Sequence, residues 1–181
     1  MKISRSIFFL GVLLFTMNAC SPRLSPFTQR LYDDNNWTET DLKRIQFYLS
    51  QDITLQREAT SGQSTIESGE IKMVDGRKVE EVVVRKGTPG VLIFMPKRNR
   101  LAVSFESSGD DRYLMFGPNP KAGNRYVLLA SDWKRRRGKV TYDGKAYFTP
   151  SESAYAALMV DLKKVRKVSV KSRTAKGRKI D

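Results

Sequence analysis

Few residues of this 181-residue chain could do covalent chemistry. Ser131 and Lys134 have the S-x-x-K spacing of penicillin-recognising enzymes, in which the lysine lies beside the nucleophilic serine. The companion motifs S-D-N and K-T-G are absent from the sequence. Neighbouring carboxylates such as Asp110 and Asp111 would point to opposite faces of a strand, so they do not converge as an acid–base pair. The sequence therefore predicts that the protein is not an enzyme.

The chain contains no histidine and a single cysteine, Cys20. Without an imidazole, Ser-His-Asp and Cys-His catalysis and histidine-ligated metal sites are excluded. One cysteine excludes an internal disulfide and a C-x-x-C metal site. We therefore expect neither a metal ion nor a cofactor.

Basic residues dominate the charge of the chain. Lysine and arginine outnumber aspartate and glutamate by 33 to 19, and the formal charge is +14. Clustered cations attract anions and can bind phosphates or carboxylates, although a basic surface that only serves solubility is the alternative. Two segments are candidate anion-binding sites: Lys134, Arg135, Arg136, Arg137 and Lys139 in the first, and Lys163, Lys164, Arg166 and Lys167 in the second.

The N-terminus has the order of a secretory signal peptide. Two cations precede an apolar run over residues 7–17, and Ala19 and Cys20 follow it. The run has about eleven residues, whereas a bilayer span takes roughly twenty, so cleavage is favoured over a transmembrane anchor.

The end of this segment, Met17-Asn18-Ala19-Cys20, resembles the lipobox of bacterial lipoproteins. The resemblance covers residues 1–20 and implies cleavage before Cys20 and attachment of a diacylglycerol to its sulfur. Two acyl chains anchor a protein stably where one does not. In that class, an aspartate directly after the lipidated cysteine favours retention at the inner membrane. This position is Ser21 here, so the resemblance implies sorting to the outer membrane, and we expect a lipid-anchored protein on its periplasmic face. Secretion with a free thiol is the alternative.

That location selects the candidate partners of the basic surface. Besides the membrane that holds the anchor, they are lipopolysaccharide, peptidoglycan and an acidic envelope protein. Nucleic acid is not an expected partner, because a secreted, tethered protein meets little of it.

The mature chain is predicted to form one domain. Residues 1–19 are interpreted as the signal peptide, 20–30 as the lipidated cysteine and a proline-containing tether, and 31–181 as a single mainly β domain with a basic C-terminal segment. Its predicted strands lie near 52–58, 69–74, 78–86, 90–95, 100–106, 112–116, 125–130, 138–142 and 145–149.

Two segments carry helix signals. A capping box formed by Thr38 and Asp41 precedes apolar residues at helical spacing and predicts a helix over 39–50. Residues 149–167 are ambiguous, because they have a helix cap and a helical apolar face but also alternate as a strand would. We favour the helix there, followed by a short strand around Val168 and Val170.

Two Asp-Gly dipeptides predict hairpin turns. Around Asp143-Gly144, a two-residue turn places Val140 opposite Tyr147. Around Asp75-Gly76, the same register would place Ile71 opposite Glu80, a poor pair, and a bulge or a longer loop is expected instead.

These elements predict an antiparallel β-barrel or sandwich of about nine to ten strands, with an N-terminal helix and, if residues 149–167 are helical, a C-terminal one. The function we expect is that of an envelope lipoprotein that acts as a non-enzymatic interaction or assembly subunit through its basic surface. The alternative is a carrier that holds an apolar molecule inside a β-barrel.

Overall fold

The short runs of apolar residues form two antiparallel sheets. A computed structural model describes residues 23–58, 70–74, 77–107, 109, 111–134 and 136–169, which contain thirteen strands and three α-helices. The helices are α1 (Gln29–Asn35), α2 (Glu39–Leu42) and α3 (Leu162–Ser169). The strands are β1 (Leu24–Pro26), β2 (Phe47–Leu49), β3 (Ile53–Glu58), β4 (Glu70–Val74), β5 (Arg77–Val84), β6 (Pro89–Lys97), β7 (Arg100–Ser104), β8 (Tyr113–Asn119), β9 (Arg125–Leu128), β10 (Ser131–Lys134), β11 (Arg137–Tyr142), β12 (Lys145–Pro150) and β13 (Leu158–Asp161).

The larger sheet has seven strands in the order β1-β13-β2-β6-β7-β8-β9, and the smaller has six in the order β10-β11-β12-β3-β5-β4. The chain crosses from the seven-stranded sheet to the six-stranded sheet twice, between β2 and β3 and between β9 and β10. The second crossover consists of Leu129 and Ala130. The sheets are not closed into a barrel, so that part of the expectation is wrong. The mainly β, antiparallel character is confirmed, whereas the expected count of nine to ten strands is too low, since the described residues contain thirteen.

One hydrophobic core joins the two sheets. It includes Leu55 and Tyr147 of the six-stranded sheet and Leu101 and Phe116 of the seven-stranded sheet, all of them fully buried. Burial of large apolar side chains is the main stabilising term in such a fold. Trp37 is buried at the start of α2, where its ring stacks at 5.9 Å on the ring of Phe27.

The N-terminal part differs from the prediction in two places. β1 lies inside the segment predicted as a tether, and α1 follows it with Thr28 accepting the Leu31 amide. Pro26 is compatible with β1 because an edge strand does not need every amide. The predicted signal peptide and Cys20 lie outside the described residues.

The capping box of Thr38 and Asp41 is present, but α2 ends at Leu42 and does not continue to residue 50. Residues 47–49 instead form β2, which pairs with both β13 and β6. Phe47 and Leu49 are fully buried there. Strand pairing on two sides therefore outweighs the local helical pattern.

The predicted helix over 149–167 is wrong. A 3-10 helix, Ser151–Tyr155, is followed by β13 and then by α3, so the alternation was the correct signal for residues 158–161. Leu158 and Val160 are fully buried. Val168 lies in α3 and not in a strand, and Val170 is outside the described part of the chain.

The Asp143-Gly144 hairpin is confirmed. Val140 pairs with Tyr147, and both turn residues have positive φ, 52° and 66°. Ile71 does pair with Glu80, in a register between β4 and β5 that has no shift, so the expected bulge is wrong. Residues 75 and 76 themselves are not described.

Candidate anion-binding cleft

A cleft of about 550 Å³ lies beside the crossover from β9 to β10, where the chain leaves the seven-stranded sheet for the six-stranded sheet. Strands β6, β7 and β8 line it from the seven-stranded sheet, and β10, β11 and the crossover residues Leu129 and Ala130 line it from the other side. Clefts of 300–1,000 Å³ are the usual size for sites that bind small molecules.

The floor of the cleft is apolar. On β8, Leu114 and Phe116 point into the core, so Tyr113 and Met115 lie on the opposite face of the sheet. The ring of Phe94 contacts that of Tyr113 edge to face, with centroids 5.0 Å apart. All three floor side chains are half-buried, which leaves apolar surface within reach of a ligand.

An irregular strand pair forms one wall. β10 pairs with β11 at Ser131–Lys139 and at Lys134–Arg137, with a register shift between them where Asp132 has a φ of 49°. Gly138 of β11 lies in this interval. A Cβ there would be 2.8 Å from both Ala130 and the Trp133 ring, so the glycine lets β10 pack closely.

Two exposed cations, Arg100 and Lys139, lie at this cleft. Neither forms an ion pair or a side-chain hydrogen bond with any residue that the structure describes. The hydroxyl groups of Ser131 and Thr141 are close by as further polar groups. Two cations beside an apolar floor can bind an amphiphile that joins a phosphate or carboxylate to a hydrocarbon part.

The other predicted cations of the β10–β11 hairpin have different surroundings. Arg136 pairs with Glu152 at 3.1 Å, and hydrogen bonding from the backbone together with this guanidinium lowers the pKa of Glu152. The guanidinium of Arg137 lies over the Phe148 ring at 5.3 Å. The side chain of Lys134 and all of Arg135 lie outside the described structure. Of the first basic segment, the described residues thus bring only Lys139 to the cleft.

The second basic segment lies on α3, next to the seven-stranded sheet. Lys163, Lys164 and Arg166 are exposed, whereas only the backbone of Lys167 is described. Lys164 lines a small cavity of about 80 Å³ with Arg44, Tyr48 and Asp161. This helix packs against β13 of the seven-stranded sheet, whereas the β10–β11 hairpin belongs to the six-stranded sheet. Lys164 and Lys139 line different cavities, so the described structure does not bring the two predicted segments together at one cavity.

Two tyrosines of the β11–β12 hairpin donate hydrogen bonds to glutamates. Tyr147 donates to Glu80 at 2.7 Å, and Arg57 contacts the other oxygen of that carboxylate at 2.6 Å. Burial, followed by the bond to Glu80, raises the pKa of Tyr147 to about 12. This contact explains how a buried carboxylate on β5 is tolerated opposite Ile71.

Tyr142 makes an equivalent contact to the loop that joins β7 to β8. Its hydroxyl donates to Glu106, whose other oxygen accepts from Arg112 at 3.0 Å. Burial and the Glu106 carboxylate raise the pKa of Tyr142 far above its usual range. Because both carboxylates are occupied by an arginine and a tyrosine, these clusters fix the hairpin and do not offer a free acid or base.

Sequence reasoning missed Arg100. It stands in Lys97-Arg98-Asn99-Arg100, a run with three cations at the β6–β7 turn. The run is a usable signal for a basic surface, but the position of Arg100 at the same cleft as Lys139 depends on the packing of the two sheets, and no local pattern reveals it.

Comparison with known proteins gives no match: no family model, no curated protein and no solved structure is significantly similar to this chain. Among the described residues, no group of three or more carboxylate or thiol side chains is placed to hold a metal ion. None of the described helices has the length and apolar character needed to cross a bilayer.

Proposed function

We propose that the protein is an envelope lipoprotein that acts as a non-enzymatic binding subunit and takes an anionic amphiphile into the cleft between its sheets. The observation that carries the proposal is the position of Arg100 and Lys139 beside the apolar floor formed by Phe94, Tyr113 and Met115. An anion alone would use the cations, and an apolar molecule alone would use the floor. A ligand with both parts uses the whole cleft.

The proposed location follows from the signal peptide and the lipobox at Cys20, and places the domain on the periplasmic face of the outer membrane. There, acyl chains joined to phosphates occur in lipopolysaccharide and in phospholipids. Peptidoglycan and acidic proteins offer carboxylates without acyl chains, so the apolar floor favours the lipid class among the expected partners. The two-sheet arrangement, which is sandwich-like, supports such a site at its surface.

A carrier is the second candidate. The sheets do not form a closed barrel, and the described core is filled by large side chains such as Tyr126, Phe47 and Phe116. A carried molecule would therefore occupy the cleft and not the interior. A carrier removes its ligand from a membrane, whereas a binding subunit engages it in place, and transfer between two vesicle populations distinguishes these roles.

Binding of dodecyl phosphate below its micellar concentration tests the proposal. We expect the mature chain with Cys20→Ser to bind dodecyl phosphate at least ten-fold more tightly than dodecanol or inorganic phosphate, because only the amphiphile engages both parts of the cleft. The double variant Arg100→Gln/Lys139→Gln should weaken binding by about ten-fold or more, since charge-assisted contacts contribute roughly 1.5–3 kcal/mol.

The matched control is Arg136→Gln/Arg137→Gln, which removes the same charge outside the cleft. We expect it to change the affinity by less than about three-fold. Equal losses in the two variants, or equal affinity for dodecyl phosphate and inorganic phosphate, would contradict a cleft site.

A further inference from the structure

The register of β1 against β13 determines which surface lies nearest to the lipid anchor. Leu24 pairs with Asp161, and α3 begins at the next residue, Leu162. Four peptide steps separate Cys20 from Leu24, and an extended chain covers at most about 14 Å over that distance. Paired residues of antiparallel strands are about 5 Å apart. One further step of about 3.8 Å leads from Asp161 to Leu162, so the start of α3 is held within about 23 Å of the Cys20 backbone.

The side chains of α3 divide into an inner and an outer set. Val165 is buried and Leu162 packs against the core, which fixes the helix on the domain. Lys163, Lys164 and Arg166 are exposed. The described side chains of α3 include no acidic residue.

The acidic residue that precedes the helix is already engaged. Asp161 accepts the backbone amide of Lys163 at 2.9 Å and so satisfies one of the free amides at the helix start. Two further exposed cations lie near this end of the domain, because Arg23 precedes β1 and Arg44 shares the small cavity with Lys164. The exposed cations Lys163, Lys164, Arg166, Arg23 and Arg44 outnumber the Asp161 carboxylate, so this surface is cationic.

We infer that α3 docks the domain on the anionic phospholipid headgroups of the membrane that holds its own anchor. The inference rests on the proposed lipidation of Cys20. A cationic surface held close to a bilayer by a tether binds headgroups intramolecularly, so weak single contacts act together. Charge complementarity and proximity thus select the membrane surface as the occupant. The docked helix fixes which side of the domain faces away from the bilayer.

Vesicle binding of the mature chain with Cys20→Ser tests the charge requirement. We expect it to bind vesicles that mix phosphatidylglycerol with phosphatidylcholine, and not to bind vesicles of phosphatidylcholine alone. Salt at about 0.5 M should release it, because that ionic strength screens surface charges. Lys163→Gln/Lys164→Gln/Arg166→Gln should lower the partition coefficient by about ten-fold or more. The matched triple variant Lys97→Gln/Arg136→Gln/Arg137→Gln should lower it less than about three-fold. Equal losses in both variants, or none, would overturn the inference.

The only thiol of the chain allows a second measurement on the tethered protein. The mature chain is coupled through Cys20 to maleimide lipid, and hydrogen exchange is compared on neutral and anionic vesicles. Slower exchange over residues 162–169 on anionic vesicles only is the expected result. Slower exchange in other segments but not in α3 would overturn the inference. Binding of the protein to acidic proteins without binding to anionic vesicles would assign the surface to a protein partner and would also overturn the inference.

Intact-mass analysis of protein from its native host distinguishes this failure from failure of the proposed function. An unmodified thiol at Cys20 removes the anchor whatever the vesicles show. A diacylated Cys20 together with negative vesicle results leaves the lipoprotein proposal in place and removes only the role of α3.

Discussion

Arg57 and Arg112 are held by carboxylates within the fold, whereas Arg100 and Lys139 lie at the cleft without a described ion-pair partner. Arg57 contacts Glu80 at 2.6 Å and lies 5.7 Å from the centre of the Tyr147 ring. Both environments involve the β11–β12 hairpin, because Tyr147 and Tyr142 share the carboxylates that hold Arg57 and Arg112, and Lys139 belongs to β11. Cationic side chains thus stabilise the fold in one environment and are available to a ligand in the other.

The difference between paired and unpaired cations indicates which charged side chains stabilise the fold and which are available for binding. A buried carboxylate needs a partner, so its removal or exposure changes the free energy of unfolding. An exposed cation without a partner contributes little to stability, so its effect should appear only in binding. Stability and ligand affinity should therefore separate between the two regions.

The largest effect on stability is expected from Glu80→Ala. The substitution leaves Arg57 and the Tyr147 hydroxyl without their acceptor, and loss of one partner of a buried pair lowers the free energy of unfolding by about 3 kcal/mol. Urea denaturation measures it. The control Asp34→Ala removes only an exposed pair with Arg30 and should leave the denaturation midpoint nearly unchanged. A comparable shift in both variants would contradict the structural role of the buried Glu80 carboxylate.

A smaller effect is expected from Tyr147→Phe, which deletes one hydroxyl donor to Glu80. Leaving part of a buried carboxylate unsatisfied costs about 1.5 kcal/mol, measured by the same denaturation. Wild-type affinity for dodecyl phosphate should be retained, because Tyr147 faces the core and not the cleft. A loss of affinity without a loss of stability would reverse the roles of the two regions.

The same tyrosine predicts a dependence on alkaline pH. Folding raises the pKa of Tyr147 from its ordinary value of 10 to about 12, so the unfolded chain releases this proton first. The stabilisation is complete below pH 10 and is lost as the pH rises toward 12. Between these values, the free energy of unfolding should fall more steeply for the wild type than for Tyr147→Phe. Parallel curves would contradict the assignment.

The smallest effect on stability is expected from Arg100→Gln/Lys139→Gln. Neither side chain has a described partner, so the free energy of unfolding should change by less than about 0.5 kcal/mol. Thermal and urea denaturation check this. A loss as large as that of Glu80→Ala would place these cations in the structural set and remove the basis of the cleft proposal.

The sequence predicts local features such as turns better than it predicts which distant strands pair with each other. The Asp143-Gly144 hairpin follows from two residues that accept positive φ, and its register was predicted correctly. β2 and β13 were mistaken for helix because their strand conformation is stabilised by partners far away in the chain. The tolerance of Glu80 opposite Ile71 likewise depends on Arg57 and Tyr147, which no local pattern reveals.

The candidate site was predicted only in part. A basic run identified Lys139, but it also included Arg136, which pairs with Glu152, and Arg137, which stacks on Phe148. Arg100 and the apolar floor come from other strands, and their meeting at the cleft is a property of the two-sheet packing. Composition shows that cations are abundant, whereas tertiary structure shows which of them face an apolar surface.

Backbone amide chemical-shift mapping by NMR during titration with dodecyl phosphate tests the cleft most directly. We expect the largest changes in β8 and β11, around Met115 and Lys139, and we expect these changes to be lost in Arg100→Gln/Lys139→Gln. Saturable changes that leave these strands unperturbed, or an identical map in the double variant, would contradict the claim that the cleft is the binding site.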